Sequence, residues 1–125
     1  MPIRTELRLR LPNSPGALAR VMGILARERV RIIALSLEPS GTARLVIDNA
    51  GRAASVLSKH HVHADARDVL CTVMDPQSVV PLLTTAAGAD LNLEYAYASS
   101  LDAQGSMALV LAFEDTARAA AAVGL

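Results

Sequence analysis

The feature that most constrains this chain is an internal repeat of a strand, helix, strand pattern. Sliding the sequence until Pro76 stands on Pro15 sets Leu70 on Leu9, Leu82 on Val21, Leu83 on Met22 and Leu91-Asn92-Leu93 on Val30-Arg31-Ile32. After a longer second hairpin carrying Asp102-Ala103-Gln104-Gly105, the run Asp115-Thr116-Ala117-Arg118-Ala119 falls on Asn49-Ala50-Gly51-Arg52-Ala53. Two copies in 125 residues leave each too small for a deep core of its own, so units 1–67 and 68–125 are expected to share one.

Within the first copy, Leu7, Leu9 and Leu11 alternate with Glu6, Arg8 and Arg10, which predicts a half-buried strand over 5–11 with its charged face in water. Leu18, Val21, Met22 and Leu25 place one apolar stripe on a helix over 15–29. Asn13 or Ser14 would cap that helix, and Pro15 suits its first turn. A strand over 30–38, a hairpin turn at Gly41 and a strand over 43–48 follow. Next come a helix over 50–59 with Ala53, Val56 and Leu57 facing inward, and a short strand over 62–66. The order βαββαβ predicts an α+β sandwich, an antiparallel sheet with helices on one face. The counterpart of the last strand would fall beyond Leu125, so the second copy is expected to lack it and to leave an open sheet edge.

Composition narrows the function. Twelve basic and twelve acidic residues give no net charge and no basic run, which argues against a nucleic-acid footprint. With Tyr95, Tyr97 and Phe113 as the only aromatics, base stacking has little to work with. No stretch is apolar enough for a signal core or a membrane span, which leaves the cytoplasm as the expected location. Cys71 is the single cysteine and reads as a small apolar side chain rather than a nucleophile, because nothing fixes a base or an orienting group beside it. His60, His61, His63 and Asp65 read as a solvated turn at a helix end, not as a metal site.

The loop Asn13-Ser14-Pro15-Gly16-Ala17-Leu18 carries the candidate chemistry, since unpaired amides at a helix start can receive a carboxylate or phosphate. The same residues also fit a plain cap. With Val30-Arg31-Ile32-Ile33-Ala34-Leu35-Ser36 behind it and Leu91-Asn92-Leu93-Glu94-Tyr95-Ala96-Tyr97-Ala98 in the second copy, the chain resembles the stand-alone tandem ACT domain proteins, an amino-acid-binding regulatory family. The resemblance implies two ferredoxin-like units whose pairing builds an eight-stranded type of antiparallel sheet, here short of its final strand.

It further implies a non-catalytic sensor, with no cofactor, that binds an amino acid between its units and works as a homodimer. Asn13, Ser14, Pro15, Gly16, Ala17 and Leu18 would form the ligand loop, with the backbone of Gly16, Ala17 and Leu18 on the carboxylate and Asn92 and Tyr95 facing it. The second copy departs from the pattern: Val73-Met74-Asp75-Pro76-Gln77-Ser78 has no glycine after its proline, and Asp75 is negative where a carboxylate would dock. One working site is therefore expected. The alternative is a regulatory subunit that docks on an amino-acid biosynthetic enzyme without binding ligand itself.

Two details stay open in the sequence. Leu91 and Leu93 set one parity for the strand holding Tyr95 and Tyr97, while Ala96 and Ala98 suit the other. On the repeat, Val69 and Cys71 stand where the first copy has Arg8 and Arg10, so the second copy's outer strand face is expected to be less polar than the first's, which points toward self-association.

Overall fold

A computed structural model describes residues 2–99 and 102–125. The chain divides into two units, one of Thr5–Arg67 and the other of Met1–Arg4 with Asp68–Leu125. The elements run β1 (Ile3–Arg10), α1 (Ala17–Arg27), β2 (Ile32–Leu37), β3 (Thr42–Ile47), α2 (Ala50–Lys59), β4 (Ala64–Met74), α3 (Val79–Gly88), β5 (Leu93–Ala98), β6 (Met107–Phe113) and α4 (Thr116–Ala122). No helix among the described residues is long and apolar enough to cross a membrane.

In the first unit the strand order is β2-β3-β1-β4. Leu7 stands opposite Leu45 and Leu9 opposite Ala43 in the antiparallel β1–β3 pair. Directly opposed residues share a sheet face, and α1 and α2 cover this one, burying Val21, Ile24, Leu25, Ala53, Val56 and Leu57 against those strands. The inward face expected for α2 is thus the observed one. Asn49 caps α2, its side chain accepting from the Arg52 amide at 3.0 Å. Asp115, its match in the repeat, caps α4 through the Arg118 amide at the same distance.

The other face of β1 is only partly wet. Arg8 and Arg10 are exposed as expected, but Glu6 is fully buried opposite Val46, which is itself 0% exposed. The alternation places Glu6 on the correct face; it does not report that this end of the face is covered.

The second unit has the order β4-β6-β5. Its core is Leu70, Leu109, Leu111 and Phe113 beneath Ala86 of α3 and Ala119 and Ala120 of α4. Two expectations change here. The short strand over 62–66 and the one after it are a single continuous β4, because Ala66-Arg67-Asp68-Val69 contains neither glycine nor proline to part them. The edge left by the missing strand is also occupied. The Cys71 amide donates to the Pro2 carbonyl at 2.7 Å, and Ile3 packs against the second unit's core. The start of β1 therefore stands in for the absent strand. Ile3→Ala is expected to cost about 1–2 kcal/mol, as for a half-buried aliphatic side chain, read as a fall in the urea midpoint.

The parity conflict around Tyr95 resolves through a β-bulge. The pairing of β5 with β6 shifts between Leu93, opposite Phe113, and Tyr95, opposite Ala112, after which Ala96 and Ala98 stand opposite Leu111 and Leu109. Leu93, Ala96 and Ala98 thus share the sheet face of Phe113, Leu111 and Leu109, with Leu93 packed against the core and the two alanines exposed, since the extra residue reverses the alternation once. Tyr95 and Tyr97 share the other face with their rings stacked, centroids 6.4 Å apart. The β2–β3 pair shifts at the matching place in the repeat, between Ile32 and Ala34. On that second face Val69 and Cys71 are buried and only Val73, at 68%, is open, so the apolar surface expected there is largely covered already.

Candidate functional site

The loop between β1 and α1 does not fold as a cap. Pro15-Gly16 forms the centre of a turn closed by the Ala17 amide donating to the Ser14 carbonyl at 3.3 Å. Gly16 has φ 83° and ψ −1°, the values of the third residue of a type II turn, with proline ahead of it as that turn prefers. Proline in this role takes an extended ψ and cannot open a helix, so α1 starts later than expected, at Ala17. Neither Asn13 nor Ser14 caps it, because no side chain bonds to its first amides. The Arg20 amide reaches the Gly16 carbonyl at 2.9 Å, while no acceptor among the described residues meets the amides of Leu18 and Ala19.

Those free donors border a cavity of about 430 Å³. Asn13, Ser14, Gly16, Ala17 and Leu18 all line it, and Pro15 does not; its part is to shape the turn. The facing wall is the β2–β3 turn, contributing Leu37, Glu38, Pro39 and Gly41. One backbone bond ties the walls together, from the Leu11 amide to the Gly41 carbonyl at 2.8 Å. Gly41 has φ +91°, and a Cβ there would stand 2.3 Å from the Leu11 carbonyl oxygen. Only glycine permits this approach. The Glu38 carboxylate is held by an ion pair with Arg44.

Glu38 and its turn were not legible as site residues. Glu38-Pro39-Ser40-Gly41 reads as an ordinary turn, and the Leu11–Gly41 bond is what ties it to the loop. Asn92 and Tyr95 lie in the other unit: Asn92 is exposed just before β5, and Tyr95 is half-buried on it.

The second copy's loop is built differently. Asp75 accepts from the amides of Gln77 at 2.9 Å and Ser78 at 3.2 Å, and Pro76 opens the 3₁₀ turn Pro76–Ser78. This is the capped start that the first loop's residues had suggested, and a carboxylate of the chain already occupies the amides an external one would need. Asp75→Ala is expected to cost about 1 kcal/mol, the usual loss of a cap, measured by chemical denaturation.

The remaining candidates are placed plainly. His63 Nε2 lies 2.9 Å from Asp65 Oδ1, and Arg8 lies 3.5 Å from Asp65 Oδ2; the bond from His63 holds the Asp65 carboxyl below the usual carboxylate range. Among the described residues no group of three or more His, Cys, Asp or Glu could hold a metal ion. Burial pushes the Cys71 thiol up, against a smaller opposing pull from Arg4, away from the thiolate a nucleophile needs.

No family model and no curated protein matches the chain. Solved structures do. A Bacteroides thetaiotaomicron protein aligns with TM-score 0.88 at 19% identity over 98% of this chain and 88% of its own. The ligand-free regulatory subunit of aspartate kinase from Thermus thermophilus aligns with TM-score 0.67 at 16% identity over 99% and 91%. Aspartokinase III of Escherichia coli, in complex with lysine and aspartate, aligns with TM-score 0.59 at 17% identity over 97% of this chain and 30% of its own. At these identities the likeness concerns fold: the chain has the tandem ferredoxin-like ACT fold seen in aspartokinase regulatory domains.

Proposed function

We propose that the chain is a cytoplasmic, non-catalytic regulatory protein that reversibly binds a free amino acid in the cavity between the β1–α1 loop and the β2–β3 turn. The observation that carries this reading is the pairing of opposite polarities across one cavity. Unpaired amides of Leu18 and Ala19 stand at one wall, and at the other stands Glu38, whose carboxylate also pairs with Arg44. An amino acid presents a carboxylate to the first and an ammonium to the second, each a charge-assisted hydrogen bond. Leu11, Leu18, Leu37 and Pro39 between them suit an aliphatic or aromatic side chain. Asn13 would bond the ligand's polar end. Asn92, Tyr95 and a homodimeric assembly belong to the same proposal through the resemblance alone.

Thermal unfolding against each of the twenty amino acids tests it. One or a few should stabilise the protein, by about 2.7 kcal/mol at 100 times the dissociation constant. Glu38→Gln should weaken that ligand about tenfold, the loss of one charged hydrogen bond. If no amino acid moves the transition and an enzyme co-purifies with the chain, the second reading stands instead: a regulatory subunit that acts through its surface. The Thermus thermophilus neighbour, itself a regulatory subunit, supports that alternative.

A further inference from the structure

The β1–α1 loop has a second cavity on its other side. It measures about 350 Å³ and shares Leu11, Pro12 and Ala17 with the first, but its remaining wall is made by Arg10, Arg20, His61 and His63 with Val21 and Val62. No acidic side chain lines it. The four nitrogen-bearing side chains come from three separate places: the end of β1, the second turn of α1 and the connection from α2 to β4. Such convergence differs from a run of charges along one element, which solvent ordinarily accounts for.

Two local arrangements hold these side chains in place. Arg20 donates from one guanidinium nitrogen to the His60 carbonyl at 3.1 Å, which fixes its fork at the rim while the other donors stay available. His61 sits in the left-handed region at φ 62°, the turn that brings His61, Val62 and His63 back over α1. Asp65 is the nearby acid, and it is engaged by both His63 and Arg8. The Arg10 guanidinium meets no partner among the described residues.

We propose that this cavity is a binding site for a compact polyanion, a metabolite carrying phosphate or several carboxylates, distinct from the amino-acid site and independent of it. Two guanidinium groups present planar donor pairs that match phosphate or carboxylate oxygens. The imidazoles add N–H donors, and Pro12, Val21 and Val62 cover a small carbon skeleton. The volume stands at the lower end of small-ligand pockets.

The test uses the full chain labelled with ¹⁵N, titrated with pyrophosphate and separately with citrate at constant ionic strength set by sodium chloride. Saturable shifts centred on the amides of Arg20, His61 and Val62 are expected with at least one probe, and the tighter of the two identifies phosphate or carboxylate as the preferred chemistry. Arg10→Gln should weaken binding about tenfold, and Arg20→Gln at least as much. Arg27→Gln, which removes the same charge from the exposed end of α1, should leave it unchanged. Arg20→Gln also loses the bond to His60, so Arg10→Gln carries the result if the former fails to fold. No saturable shift at 10 mM of either probe, about the upper end of useful affinity for such sites, would overturn the proposal. So would equal weakening by Arg27→Gln, or shifts mapping elsewhere.

Discussion

Gly41→Ala is expected to destabilise the protein by about 3 kcal/mol, whereas Gly16→Ala is expected to cost about 1 kcal/mol. Both glycines hold the left-handed backbone, φ +91° and +83°, so both substitutions carry the conformational penalty of an L-residue there. Their surroundings differ. A Cβ at Gly16 meets nothing within 4 Å, while one at Gly41 overlaps the Leu11 carbonyl oxygen at 2.3 Å. That oxygen belongs to backbone and cannot rotate away, so the turn must move and the Leu11–Gly41 hydrogen bond must break. The gap between the two variants in urea denaturation measures this overlap. The Gly41 variant should also lose any response to amino acids, because the broken bond is the tie between the cavity's walls. Equal stabilities for the two variants would show that the walls are not held in this way.

The second large effect belongs to Phe113, the biggest side chain in the chain that is fully enclosed, at 1% exposure. Phe113→Ala should cost about 3–5 kcal/mol by calorimetry or denaturant titration, the transfer loss plus a cavity the neighbours cannot fill. The neighbours explain why. Ala86, Ala119 and Ala120 contribute only methyl groups from the helices, so collapse into the space falls to longer side chains such as Leu82, Leu83 and Leu93, which fill it only in part. Phe113→Leu should recover more than half of the loss, since it restores most of the volume. A cost below 1 kcal/mol would mean that the second unit's core is looser than its burial indicates.

Much of this architecture could be read from the residues. The repeat, the match of the Asn49 and Asp115 runs and the inward face of α2 follow from periodicity; that Asn49 and Asp115 cap their helices emerged with the structure. What escaped depends on relations between segments. A β-bulge is a property of two paired strands, so the conflicting parities of Leu93 and Ala96 could be noticed but not resolved from β5 alone. Pro15-Gly16 fits both a helix start and a type II turn; the choice rests on the sign of the Gly16 φ, which composition does not reveal. Asp75 shows the other outcome, for without a glycine at Gln77 its loop takes the capped form. Glu38 escaped for the plainest reason: its role follows from which loop lies across from it. The second cavity was hidden likewise, its Arg10 read as part of a wet strand face and its histidines as a helix end.

Residues 2–4 complete a unit whose other residues begin at Asp68. During synthesis these residues leave the ribosome well before Cys71 and then wait, because the amide that receives them has not yet been made. Residues 5–67 can settle in the meantime, as early segments of a chain generally do. The order of birth and the order of completion thus run in opposite senses. In a crowded polysome the same short segment from a neighbouring chain would fit the vacancy equally well, a route to strand-exchanged dimers.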